Sequence, residues 1–169
     1  MPATKSDLFM LLDELEISHK TTVHKPVFTV EESAEIKAHM PGAHTKNLFL
    51  KDKGGNFFLI CAESQAQIKV NKLHPHLGCK RLSFGKAEYL LEHLGVTPGS
   101  VCLFAIMNDK DLNVQLIIDQ TLADADIVNF HPLLNDATTA ISSDDMIKFA
   151  NATDHDPIIM DFAAIAPPE

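Results

Sequence analysis

Apolar positions along this chain recur with two periods. Leu8, Leu11, Leu12 and Leu15 repeat at helical spacing behind Thr4 and Ser6, both able to cap, so an amphipathic helix is predicted over residues 4–16. His19–His24 alternates and contains Thr21, Thr22 and Val23, the signature of a short strand. Thr29 followed three residues later by Glu32 is a capping-box pattern that opens a helix over residues 30–39, which must stop before Pro41. Two apolar runs, Asn47–Leu50 and Asn56–Ala62, flank Lys51-Asp-Lys-Gly-Gly55, and the glycine pair predicts a hairpin. A short helix at 70–77, a strand at Arg81–Ser83 and a helix at Lys86–Leu94 ending on Gly95 follow. Val101–Met107 and Asn113–Asp119 are continuously apolar and read as two buried strands joined by the polar loop Asn108–Asp111. Strands at Asp126–Phe130 and Thr138–Ile141 come next, then a helix capped by Ser142–Asp145 that runs through Ala150. A strand within Pro157–Phe162 completes the pattern, and the Ala/Pro-rich residues 163–169 are expected to fray. Strands in hairpins with interspersed helices predict an α+β class, a mixed, largely antiparallel sheet packed by helices.

At 169 residues and 46% apolar content the chain can close one core, and no shift in composition marks a second domain, so residues 1–169 are read as one. No apolar run approaches membrane length, and the N-terminus lacks a basic region followed by an apolar stretch; a cytoplasmic protein with no membrane partner is expected. Cys61, Cys79 and Cys102 are odd in number and far apart, which fits buried small hydrophobes better than a disulfide framework or a metal knuckle. Phe28, Phe49, Phe57, Phe58, Phe84 and Phe104 are assigned to the core. The net charge of −9 argues against DNA as a partner, but the charge is segregated. Lys46, Lys51, Lys53, Lys69, Lys72, Lys80, Arg81 and Lys86 face only Asp52 and Glu63 in their segment, so a basic surface able to approach an RNA end is one reading. Lysines scattered over solvated faces account for the pattern equally well.

The chemistry centres on Met40–Leu50, where the Pro41-Gly42 turn delivers His44, Thr45, Lys46 and Asn47 into an apolar strand. Read locally, Lys46 is one of thirteen lysines, and solvation explains it. Phosphate-binding loops, dinucleotide fingerprints, nucleophile elbows and H-E-x-x-H are all absent, so triphosphate, dinucleotide and serine-hydrolase chemistry lose their usual support. His74-Pro-His76 has no third ligand at metal spacing, and no metal or other cofactor is expected. Asp144-Asp145 is accounted for by helix capping. His131 leaves an apolar strand at the Phe130-His131-Pro132 turn, a position open to a cleft, although a core histidine bonded to backbone fits as well.

Taken together, Pro41-Gly-Ala-His-Thr-Lys-Asn-Leu-Phe-Leu50, the Lys-Asp-Lys-Gly-Gly turn, Leu82-Ser-Phe84, Leu94-Gly-Val-Thr-Pro-Gly-Ser-Val101 and Phe130-His-Pro-Leu-Leu-Asn135 with Thr138 resemble the YbaK/prolyl-tRNA synthetase-associated editing domain family. The resemblance covers nearly the whole chain in order and is strongest to the freestanding ProX or PrdX type, which clears alanine from tRNA(Pro). It implies a curved mixed sheet flanked by helices and hydrolysis of the ester between a wrong amino acid and the terminal adenosine of tRNA. By motif position it implies that Lys46 is the essential lysine and Asn47 its neighbour. His131 becomes the histidine that helps shape the amino-acid pocket, and Pro41 and Gly42 the loop edging it. His44, Thr45, Asn135 and Thr138 become further pocket positions.

That chemistry is physically sensible. A prolyl site rejects alanine weakly, because missing methylenes forfeit only about 1–3 kcal/mol each, and a second hydrolytic site is a known remedy. Lys46 as a compact cation can neutralise a terminal phosphate or hold substrate for attack, and backbone N–H groups near Pro41-Gly42 can receive the oxyanion. With no Ser or Cys placed beside a base, direct attack by water is expected. The resemblance suggests that the terminal 2′-hydroxyl of the tRNA helps activate that water, with His131 positioning. Expected partners are the acceptor end of a mischarged tRNA, engaged by Lys51, Lys53, Lys69, Lys72, Lys80 and Arg81, and a prolyl-tRNA synthetase. Cysteine in place of alanine as the cleaved amino acid, or a non-catalytic tRNA- or synthetase-binding module, are the alternatives; the latter requires the basic segment on one surface with no pocket beside Lys46.

Overall fold

A computed structural model describes residues 2–26 and 38–165. The first helix, α1 (Lys5–Glu14), opens with a reciprocal capping box between Thr4 and Asp7 and buries Leu8 and Leu12. Its Lys5 reaches across to Asp136, tying the helix to the turn that precedes a distant strand. Then come β1 (Lys20–Val23), β2 (Ala43–Asp52) and β3 (Phe57–Glu63), the last two forming the expected hairpin. The helix expected over 30–39 falls mostly on residues 27–37, outside the described residues. A 3₁₀ turn (Val70–Lys72), α2 (His74–Leu77), β4 (Leu82–Phe84) and α3 (Ala87–Leu94) follow, with Gly78 and Gly95 closing the two helices in the left-handed conformation.

Leu103–Asn108 departs from the expected strand. It is a 3₁₀ helix with Leu103, Phe104, Ala105 and Ile106 buried. A short, wholly apolar run reads alike as a buried strand or a buried helical turn, so periodicity could not separate them. In consequence β5 (Val114–Asp119) is not half of a hairpin and pairs parallel to β3 instead. A helical turn, α4 (Gln120–Ala123), leads to β6 (Ile127–Phe130) and β7 (Ala137–Ser142). Ser142 caps α5 (Ser143–Ala152), and β8 (Ile158–Met160) is shorter than expected because Phe162–Ile165 turns into α6. Residues 163–165, expected to fray, thus begin in a helical turn.

Eight strands form one sheet in the order β1-β7-β6-β2-β3-β5-β8, with β4 paired to β2 off this path. Four pairings are antiparallel and three (β2 with β6, β3 with β5, β5 with β8) are parallel, so the sheet is mixed with only a slight antiparallel majority. Because paired residues share a face and neighbours along a strand alternate, the registers divide the side chains into two sets. One face carries Phe49, Leu59, Cys61, Leu116, Val128 and Phe130 into the larger core beneath α1, α3, the Leu103–Asn108 turn and α5. The other carries Leu50, Phe58, Ile60 and Ile117 into a smaller core with Leu73. Cys61 and Cys102 are buried as expected, whereas Cys79 is half-buried. Phe84 is not core: it is 65% exposed, because its three-residue strand sits at the margin of the smaller core. Phe28 lies outside the described residues. Among the described residues no helix is long and apolar enough to cross a membrane.

Candidate active site

Strand β2 begins at Ala43, earlier than the apolar run indicated, so His44 to Asn47 lie within a strand and not at its mouth. One edge of β2 is paired with β3 from Thr45 to Lys51. The other edge is shared: β6 pairs only with Ala43 and His44, and β4 only with Leu50, Lys51 and Asp52. Between these two short ladders, residues 45–49 have no strand partner on that edge among the described residues. The result is a notch in the sheet, with β6 and the His131 that follows it on one bank and β4 on the other.

Lys46 lies on the stretch of β2 that borders the notch. Its ammonium donates to the backbone oxygen of Ala66, in the segment after β3, which fixes the long side chain and leaves two further donors on nitrogen. The register places it on the face shared by His44, Asn129, Ala140, Lys20 and, two residues along β7, Thr138 with its partner Thr22. Asn47, its chain neighbour, necessarily projects to the opposite face, where its side-chain oxygen is buried without a partner among the described residues. The two side chains therefore do not act from the same side of the sheet. Thr45 is also on that opposite face, and its hydroxyl donates to Asn129 O at 2.7 Å, stitching β2 to β6 where the ladder ends.

The Pro41-Gly42 rim is held by a residue the sequence reading passed over. Asn129 is only 2% exposed, and its amide nitrogen donates to Pro41 O and Ala43 O, both at 3.1 Å, clamping the turn from beneath. A lone amide in the apolar strand Ile127–Phe130 was a legible signal, since a buried polar group must find partners. Gly42 has φ +100°, and a Cβ there would sit 2.7 Å from Ile127 Cβ and 2.8 Å from Ile127 O. Both backbone conformation and space reserve the position for glycine. His44 Nε2 lies 3.0 Å from Met40 O, closing the same turn.

His131 is half-buried, and its Nδ1 lies 3.0 Å from the carbonyl of Ala137, so Nδ1 carries the proton and Nε2 keeps its lone pair in the neutral ring. Burial pushes the imidazole pKa below its ordinary value, outweighing the Ala137 bond, and the neighbouring His24 lowers it further. His24 is a second omission of the sequence reading. Its Nε2 is 2.8 Å from the buried Thr138 hydroxyl, its backbone N–H donates to Asp136 O, and its ring centroid lies 6.4 Å from that of His131. The structure thus brings His131, Thr138 and His24 together on one bank. Asn135 lies in the same turn, where its amide nitrogen would be 3.4 Å from a Cβ added at Gly99, so it packs toward Gly99.

The predicted RNA-binding residues divide. Lys53, Lys80 and Arg81 are exposed and clustered where the β2–β3 turn meets β4, with Lys53 N donating to Arg81 O at 3.1 Å. Lys51 is half-buried, its ammonium 5.1 Å from the centre of the Tyr89 ring. Lys69 and Lys72 belong to the neighbouring 3₁₀ turn, which packs against β4. Among the described residues no Ser or Cys nucleophile is poised in the notch: Cys61, cross-strand from Asn47, is fully buried and burial drives its thiol pKa well up.

The geometry is that of a mixed-sheet domain with a lysine fixed on a backbone carbonyl beside a gap in the sheet and exposed basic side chains where the β2–β3 turn meets β4. Residues 24–149 match the family described as the aminoacyl-tRNA editing domain, and the chain belongs to that family. It is 34% identical over 160 residues to the prolyl-tRNA synthetase associated domain-containing protein 1 of Danio rerio, covering 94% of this chain and 87% of that one. It is also 34% identical over 149 residues to the prolyl-tRNA editing protein ProX of Acetoanaerobium sticklandii, covering 88% of this chain and 91% of the relative. A crystal structure of a candidate trans-editing enzyme for prolyl tRNA synthetase superposes with a TM-score of 0.67 at 14% identity, over 95% of this chain and 98% of that one, and shows the shared fold.

Proposed function

We propose that this chain is a freestanding deacylase that removes alanine from mischarged tRNA(Pro), acting in trans in the cytoplasm on the acceptor end of the tRNA, alongside a prolyl-tRNA synthetase. The observation that carries the reading is Lys46, anchored on Ala66 O in the stretch of β2 whose second edge has no strand partner among the described residues, in a chain of the aminoacyl-tRNA editing family. The ammonium binds the phosphate of the terminal adenosine and sets the ester across the notch. Water attacks the ester carbonyl, the C–O bond to the ribose breaks, and the ribose oxygen leaves with a proton. The terminal 2′-hydroxyl of the tRNA takes part in activating that water.

In this reading the lone pair on His131 Nε2 accepts a hydrogen bond from the substrate's ammonium or ribose hydroxyl and so orients it, while Thr138, held by His24, supplies a second oriented oxygen. Pro41, Gly42, His44 and Thr45 form the rim and support of the amino-acid pocket, with Asn135 behind the turn. Asn47, on the other face, acts through its backbone and the strand. Lys53, Lys80 and Arg81 contact phosphates of the acceptor end, with Lys51, Lys69 and Lys72 adding to the local positive field.

The test is release of labelled alanine from Ala-tRNA(Pro), with Pro-tRNA(Pro) as the protected control and Cys-tRNA(Pro) as the competing substrate. Wild type is expected to clear the alanyl ester selectively, and Lys46→Ala to lower the rate by about 10²-fold, the loss typical of misplacing a substrate at the reacting centre. Equal rates for the two proteins, or no hydrolysis by wild type, would refute the proposal; preferential loss of cysteine would reassign the substrate.

A further inference from the structure

Phe84 is exposed to 65% on a backbone that is firmly held. β4 pairs Phe84 with Leu50, and Gly85 N donates to Phe49 O at 2.8 Å. A Cβ on Gly85 would lie 2.3 Å from the Phe49 ring, so the chain leaving Phe84 is pressed flat onto the core. A single exposed phenylalanine is commonplace, so its surroundings decide what it means.

Those surroundings are basic for a specific reason. The acid of the β2–β3 turn, Asp52, is only 3% exposed; its carboxylate turns inward and accepts the N–H of Asn56 at 2.8 Å, the Asn56 amide at 3.1 Å and the N–H of Lys80 at 3.1 Å, while Glu88, at the start of α3, is the exposed acid that follows Phe84 in the chain. Burial alone would raise the Asp52 pKa, but these donors overcome it and keep the group ionised below its ordinary range. The anion therefore organises the loop from inside while the outside presents Lys53, Lys80 and Arg81 beside an open aromatic ring. Basic groups interleaved with an exposed aromatic are what unpaired nucleic acid selects, phosphates on the cations and a base on the ring. Location agrees: Leu50, the partner of Phe84, lies four residues beyond Lys46 on the same face of β2, about 14 Å along the strand. An unpaired 3′ end whose last nucleotide reaches Lys46 passes the β4 bank with the nucleotides just before it.

We infer that Phe84 is a stacking platform for an unpaired base next to the terminal nucleotide of the RNA substrate, with Lys53, Lys80 and Arg81 holding the adjoining phosphates. The inference rests on the proposed role of Lys46 for its direction along the notch, but not for the binding itself.

The test uses an acceptor-stem RNA hairpin with an unpaired CCA end and 2-aminopurine in place of the penultimate base. Wild-type protein should quench the fluorophore on binding. Phe84→Ala should weaken binding on the order of tenfold and abolish the quench, and Phe84→Trp should restore both. The salt dependence separates the parts: Arg81→Ala should flatten the slope of log affinity against log salt, and Phe84→Ala should leave it unchanged. Lys46→Ala should weaken binding through loss of its phosphate contact and still quench fully at saturating protein. If Phe84→Ala titrates like wild type, or wild type fails to bind the hairpin, the inference is overturned and Phe84 becomes a protein-contact residue. A wild type that quenches through Phe84 yet cleaves no aminoacyl ester would sink the deacylase proposal and leave this one standing.

Discussion

His131 links a local environment to a measurable property of the whole protein. Its pKa is lowered in the folded state, so the unfolded chain takes up a proton more readily as pH falls past the free imidazole value of about 6.5. Stability from this group is complete above that pH and declines as pH drops toward the folded-state value. Urea denaturation of wild type and His131→Asn across pH 7.5 to 5 should show a steeper acidic decline in the wild type; parallel curves would mean that the ring is not buried as described. Local pattern left Lys46 to solvation and His131 open, and it was the resemblance of the motifs around them to the editing-domain family that nominated both. It could not supply what holds them, since the carbonyls of Ala137 and Ala66 carry no side-chain signature.

Turns and strands show where pattern succeeds and where it fails. The hairpin of β2 and β3 was legible because glycine between apolar runs has a steric meaning, as was the Ser142 cap of α5. The Leu103–Asn108 turn was not, because full burial erases period. Nor was the opposite facing of Lys46 and Asn47 drawn from sequence: it depends on β2 beginning before them, so that pleating governs both. The Pro41-Gly42 turn allows a direct check. Gly42→Ala forces a Cβ against Ile127 in a left-handed conformation and should cost about 1–3 kcal/mol by urea titration. It should also raise KM in the deacylation assay, while a surface control such as Gly55→Ala, with open space around it, should leave KM unchanged.

At the scale of the molecule, a buried polar joint closes the sheet far from the notch. Asp109 accepts the N–H groups of Asn113 and Val114 at 2.9 and 2.8 Å and faces His155 Nε2 at 2.9 Å, joining the start of β5 to the segment after α5. Burial would raise its pKa, but His155 and the two backbone donors prevail and lower it. Asp109→Ala strands His155 in the interior and should cost about 3–5 kcal/mol in urea denaturation. Per-site kcat on the surviving folded fraction should stay near wild type, since the joint touches nothing in the notch; a lost kcat would imply coupling between the two ends of the sheet.

The notch itself has one more consequence. An unpaired strand edge ordinarily invites another chain to add a strand, the first step toward aggregation. Here, among the described residues, the bare stretch spans only residues 45–48, and β6 and β4 stand at its two ends like doorposts. An intruding strand of ordinary length, about five or six residues, would collide with both before completing a ladder. The same geometry that leaves part of the β2 edge open therefore keeps the protein from polymerising through it.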